Sequence, residues 1–125
     1  MSRSSYQQDA LQVRLAAGIT GYSLGIPAET ILNGDDRAHR VARARQIVMY
    51  LSHVVLGMSL ARIAYATGRD RSTVAYSCHR IEDFRDSPEV DCWLEELESR
   101  LRGAAAPGTP GVSASLPPTE RLQLT

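Results

Sequence analysis

Within residues 59–85 two short helical patterns lie so close together, with one glycine between them, that few chain geometries can join them. Ser59 is placed to cap a helix over 60–67, which buries Leu60, Ile63 and Ala64. Gly68 breaks that helix. Asp70 or Ser72 can cap a second helix over 71–84, with core positions at Val74, Cys78, Ile81 and Phe84. The small Ala64 permits close helix approach, and Gly68, four residues on, permits a sharp turn, so the spacing is that of a helix-turn-helix. Helical hairpins in inert bundles share this pattern, so spacing alone leaves that alternative open.

The rest of the chain is helical in the same way. Residues 40–56 carry an apolar stripe of Val41, Ala44, Ile47, Val48, Leu51, Val54 and Val55, with Arg43, Arg45, Gln46 and His53 off it. Residues 10–24 read as a first helix on Leu11, Leu15, Ile19 and Tyr22, ended by Gly25. Pro27 then opens a short segment with Ile31 and Leu32, closed by the turn Asn33-Gly34-Asp35-Asp36. Ser87-Pro88-Glu89 starts a last helix with cap, proline and first-turn acid in order, and Val90, Trp93, Leu94, Leu97 and Leu101 form its inner stripe. Gly103 is expected to stop it. Residues 103–125 have no apolar periodicity and many breakers, so a disordered, dispensable tail is expected, as is a flexible N-terminus over 1–9. The fold class is therefore all-α, a helix-turn-helix bundle of five to six helices over residues 10–102.

Composition excludes several functions. All 14 basic residues are arginine, so neither a lysine-bearing phosphate loop nor a Schiff-base enzyme is possible. No nucleophile–base pair or carboxylate dyad stands out, and an enzyme or a cofactor is not expected. Cys78 and Cys92 lack metal-ligand spacing and read as free, buried or half-buried thiols; His53 and His79 lack a third ligand, so no metal is expected. No stretch reaches the ~18 apolar residues of a membrane span, and no secretory leader opens the chain, so a cytoplasmic, nucleoid-associated location is expected.

The net charge of zero conceals an asymmetry. Residues 37–85 hold nine arginines against three acids, whereas residues 1–36 and 86–125 are both net acidic. A basic centre with acidic flanks suits a compact nucleic-acid reader. The second helix of the pair would enter the major groove N-terminus first and present Arg71, Ser72, Ala75, Tyr76 and His79. Tyr50 and Trp93 read as core, and Arg43 and Arg80 as solvated charges. The acids Asp86, Glu89, Asp91, Glu95, Glu96 and Glu98 would be repelled by phosphate and should point away from DNA, toward a protein.

Val41-Ala-Arg-Ala-Arg-Gln-Ile-Val-Met-Tyr-Leu, then Ser59-Leu-Ala-Arg-Ile-Ala, then Gly68-Arg-Asp-Arg-Ser-Thr-Val resembles the C-terminal DNA-binding domain (domain IV) of the bacterial replication initiator DnaA. The resemblance runs over about residues 20–85 in order and spacing. It implies a Trp-repressor-like helix-turn-helix that binds double-stranded DNA as a monomer. By that resemblance Arg37 reaches the minor groove, Arg45 and Gln46 contact phosphate, His53 holds a weaker basic contact, and the backbone at Leu60 and Ala61 faces a phosphate. Asp70, Arg71 and Ser72 take the base-reading positions, with Arg69, Thr73 and Tyr76 beside them.

Three departures fall on the reading tip. The family's double glycine is a single Gly68, its histidine is Arg71, and its first threonine is Ser72. The family's ATPase domain has no counterpart in this sequence, which points to a stand-alone regulator of transcription. Such domains resemble activators of gene-transfer-agent clusters that work with a sigma-factor-like protein or RNA polymerase. The rival readings are a replication control factor competing for initiator sites and a helical protein–protein adaptor.

Overall fold

The computed structural model describes residues 3–34, 38–105 and 116–124. Among them the chain forms six helices and no strand: α1 (Arg3–Leu24), α2 (Ala28–Asn33), α3 (His39–Val54), α4 (Leu60–Thr67), α5 (Arg71–Phe84) and α6 (Pro88–Ala105). The all-α helix-turn-helix bundle expected from the sequence is the fold observed. Arg37 and residues 106–115 lie outside the described residues.

Helix α3 is the centre. It packs against α1, α2, α4 and α5, and Ala44, Ile47, Val48 and Leu51 are fully buried as the apolar stripe requires. Because neighbours cover it on several sides, the positions off the stripe are buried too: Arg43, Arg45, Met49, Tyr50 and Ser52. Periodicity sorts residues correctly for a helix with one wet face, and α3 does not have one.

Half of the stripe expected for α1 packs on the core, with Leu15 and Ile19 partly buried against it. Leu11 and Tyr22 are exposed, and Val13, Ala16, Ala17, Thr20 and Leu24 face the core. Small residues let α1 approach its neighbours closely. At Gly21 a Cβ would fall 2.2 Å from the Ile26 carbonyl oxygen, so no other residue fits without moving the turn after α1.

Both ends of the domain extend beyond the limits expected. Helix α1 begins at Arg3, because its polar first turns have tertiary partners: Asp9, 3% exposed, accepts from Arg62 Nε at 3.0 Å, and Tyr6 stacks on Tyr65 at 4.6 Å. Helix α6 runs through Gly103 to Ala105. The expected disordered tail is corrected for residues 116–124. They turn back on themselves through Leu122 N–H to Pro118 O (3.0 Å) and Leu124 N–H to Thr119 O (2.9 Å). That turn delivers Leu122 and Leu124 into the core at 0% and 4% exposure. The three leucines among these nine residues show no helical period, so only the tertiary site reveals that Leu122 and Leu124 are buried and Leu116 is not.

Candidate nucleic-acid interface

The geometry of the helix pair follows from its caps. Ser59 Oγ accepts from Arg62 N–H at 3.2 Å, as the sequence anticipated, and leaves the first-turn N–H groups of Leu60 and Ala61 at the start of α4. Gly68 adopts φ 67°, ψ 26°, the left-handed conformation that favours glycine, and Arg69 N–H closes on Ala64 O at 3.1 Å. The single glycine therefore suffices for the turn. Ile63, Val74 and Ile81 are wholly buried beneath it.

Helix α5 presents its N-terminus outward. Asp70 stands at the N-cap position with extended φ/ψ, yet its side chain makes no capping hydrogen bond. Arg71, Ser72 and Thr73 are exposed, Tyr76 is 60% exposed and His79 is exposed on the same helix. Arg71 makes no hydrogen bond or ion pair among the described residues, so its fork of donors is available to an acceptor outside the protein. Thr73 and Tyr76 share a shallow cleft of about 210 Å³ with Arg69, Gln46 and Arg45, which brings three expected contacts of α5 and its turn beside two of α3.

The basic segment is largely consumed by the fold, which charge counting could not reveal. Arg40 donates to the Leu24 carbonyl at the end of α1. Arg45, only 5% exposed, donates from Nε to Ile31 O and from Nη2 to Gly34 O, both at 2.8 Å, at the end of α2. Helix C-termini carry partial negative charge from unpaired carbonyls, so buried guanidinium groups suit them. Arg45, expected to contact phosphate, thus supports the α2–α3 connection from inside. Arg62 pairs with Asp9, whose hydrogen bond raises the arginine's pKa. Arg43 and Arg80, expected as solvated charges, lie over Phe84 with their guanidinium carbons 4.6 and 4.7 Å from the ring centroid.

Arg85 joins three helices. It meets Asp91 at 2.6 Å, Glu98 at 2.9 Å and the Tyr50 hydroxyl at 2.9 Å, and that hydroxyl donates to Glu82. Burial disfavours the Arg85 charge, but the hydrogen bonds it donates to Glu98, Asp91 and Tyr50 outweigh that and raise its pKa. Tyr50 and Trp93 are core residues, as expected. The acid row of 86–98 therefore divides: Glu98 is buried and Asp91 is paired, while Asp86, Glu89 and Glu95 face solvent.

His53 lies about two turns beyond Gln46 on α3 and is not part of the same cleft. Its Nδ1 donates to Met58 O at 2.8 Å, and it lines a second cleft with His79, Cys78 and Glu82. The described residues contain no group of three His, Cys, Asp or Glu side chains arranged to hold a metal. Cys78 is half-buried and Cys92 is exposed, both free, so the reading of two sheltered thiols holds for the first alone. Among the described residues no helix is long and apolar enough to cross a membrane.

Fold and site together define a helix-turn-helix domain of the DNA-binding kind. The family model described as the bacterial DnaA protein helix-turn-helix matches residues 19–81, half of the chain, and the chain belongs to that family. It is 36% identical over 83 residues to the chromosomal replication initiator protein DnaA of Synechococcus sp. (strain JA-2-3B'a(2-13)), a match covering 65% of this chain and 18% of that protein. The chain therefore spans less than a fifth of that relative's length. No solved structure matches.

Proposed function

We propose that this protein binds duplex DNA sequence-specifically and regulates transcription, placing the N-terminus of α5 in the major groove. The observation that carries this reading is the exposed tip Asp70-Arg71-Ser72-Thr73, whose carboxylate is not used as a cap and whose arginine is unpaired among the described residues. Side chains of these types hydrogen-bond to base edges, and a helix N-terminus beside them favours phosphate. Gln46, Arg69 and Tyr76 flank the tip, the α4 N-terminus at Leu60 and Ala61 takes a backbone phosphate, and Arg37 takes the adjacent minor groove. His53 adds a peripheral contact.

Arg71, Ser72 and the single Gly68 favour a site other than the initiator's own, hence a regulator over a competitor for initiator sites. The exposed acids Asp86, just before α6, and Glu89 and Glu95 of α6 are unsuited to DNA and are assigned to a protein partner, RNA polymerase or a sigma-factor-like protein. An activator of a gene-transfer-agent or phage-like cluster, acting as a monomer in the nucleoid, fits this arrangement.

Gel shifts with genomic fragments, combined with occupancy mapping in the native cell, test the reading. Retarded fragments and occupancy concentrated at promoters are expected. Occupancy confined to replication-initiator sites would favour the competitor. Failure to retard any duplex at low salt would sink the DNA reading and leave a helical adaptor.

A further inference from the structure

Segment 116–124 covers His39, Arg43 and Arg80 and meets them with neutral oxygens alone. Arg43 Nε donates to Leu122 O at 3.1 Å, His39 Nε2 donates to Gln123 O at 2.7 Å, and Arg80 Nη2 donates to the Gln123 side-chain oxygen at 3.2 Å. All three acceptors are neutral. Among the described residues neither Arg43 nor Arg80 meets a carboxylate, although the domain pairs Arg62 and Arg85 with acids. The two guanidinium groups flank one ring, Phe84, which holds them near each other. Burial and the neighbouring Arg80 charge push the Arg43 pKa below its ordinary value. Two like charges brought together on amide oxygens make a place where an anion would bind more strongly than the present occupant.

The cluster adjoins the proposed interface. Arg43 Nη1 donates to Gln46 Oε1, and Gln46 shares its cleft with Thr73 and Tyr76. The cover is also weakly held. Two buried leucines anchor nine described residues, and Gln123 sits at φ 57°, a left-handed conformation uncommon for a residue with a Cβ.

We propose that His39, Arg43 and Arg80 form a second phosphate-binding site for the DNA backbone, closed in the free protein by residues 116–124 and opened when DNA displaces them. The three tail oxygens stand where phosphodiester oxygens would bind. The tail and the flanking DNA backbone are then mutually exclusive occupants, and the tail lowers affinity for every sequence alike. This inference rests on the DNA-binding reading above.

The test uses the full chain and a 20-base-pair-scale duplex of random sequence at pH 8, since phosphate contacts carry no base information. Leu122→Ser/Leu124→Ser, which frees the segment, should bind about tenfold more tightly at low salt, with a log K against log salt slope steeper by about two units, at ~0.9 per phosphate neutralised. Adding Arg80→Gln should remove about one of those units. In the wild type, hydrogen exchange at the Leu122 and Leu124 amides should accelerate on saturation with the duplex; this arm does not depend on the variant folding. An unchanged slope with equal or weaker binding by a folded variant, or amides that stay protected in the wild-type complex, would overturn the proposal while leaving DNA binding intact. Absence of duplex binding by both wild type and variant would overturn the DNA reading and this proposal with it.

Discussion

Arg85 Nη1 lies 2.9 Å from Glu98 Oε2, an ion pair that fastens the turn after α5 to the inner face of α6. The Glu98 side chain is 11% exposed, so removal of its partner would strand a carboxylate in the interior. Arg85→Ala should lower unfolding free energy by about 2–4 kcal/mol, read from urea denaturation. The double variant Arg85→Met/Glu98→Met should recover much of that loss, because an apolar pair replaces the desolvated charges. A single variant of wild-type stability would show that the network is solvated in solution.

Arg45→Ala separates support from contact. The side chain holds Ile31 O and Gly34 O, so its loss leaves two carbonyls at the end of α2 without donors. We expect a stability loss of about 2–3 kcal/mol. The salt slope of DNA binding should stay within a few tenths of wild type. A slope flattened by about one unit, without loss of stability, would restore Arg45 as a phosphate contact.

Truncation after Ala105 should destabilise the domain, against the expectation of a dispensable tail. Leu122 and Leu124 are buried in the core, and their apolar burial outweighs the entropy lost on ordering the segment by a small margin. The net loss should be about 1–2 kcal/mol in urea titrations, with a smaller m-value. No shift in midpoint would mean that the segment does not pack in solution.

Two groups make the fold alkali-sensitive. Burial raises the Cys78 thiol from 9.0 to about 11, and burial foremost raises the Tyr50 phenol from 10.0 to about 12. Both folded pKa values lie above the unfolded ones, so their stabilising effect is complete below pH 9 and is lost as pH rises toward 12. Stability should fall by about 1–2 kcal/mol between pH 9 and 11, and Cys78→Val should flatten the first part of that decline. A flat profile over that range would contradict the assigned burial.

Specificity should centre on Arg71. An arginine fork can pair with guanine O6 and N7, and a good bidentate contact discriminates by ~1–3 kcal/mol. Selection from random DNA should yield a preferred site with a guanine opposite Arg71, and Arg71→Ala should lose preference at that one base pair. If wild type and variant select the same sequence with different affinity, Arg71 grips phosphate alone.

Local patterns determined the helices, the Ser59 cap, the left-handed turn at Gly68 and the outward tip at Asp70–Thr73, because each depends on residues within a turn or two of one another. Only the tertiary structure decided which charges are used. Arg40, Arg45, Arg62 and Arg71 have the same side chain in the same basic segment, yet three meet carbonyls or a carboxylate brought from 11 to 53 positions away, and one meets solvent. The α1 face is only half legible in the sequence, Leu15 and Ile19 but not Leu11 and Tyr22, because large apolar side chains outweigh Ala16, Ala17 and Gly21 in a periodicity argument, whereas close packing selects the small ones. Leu122 and Leu124 were invisible for a related reason. A segment with no period of its own becomes part of a core when a cavity and hydrogen-bond donors from distant helices await it, and those exist only once α3 and α5 have packed.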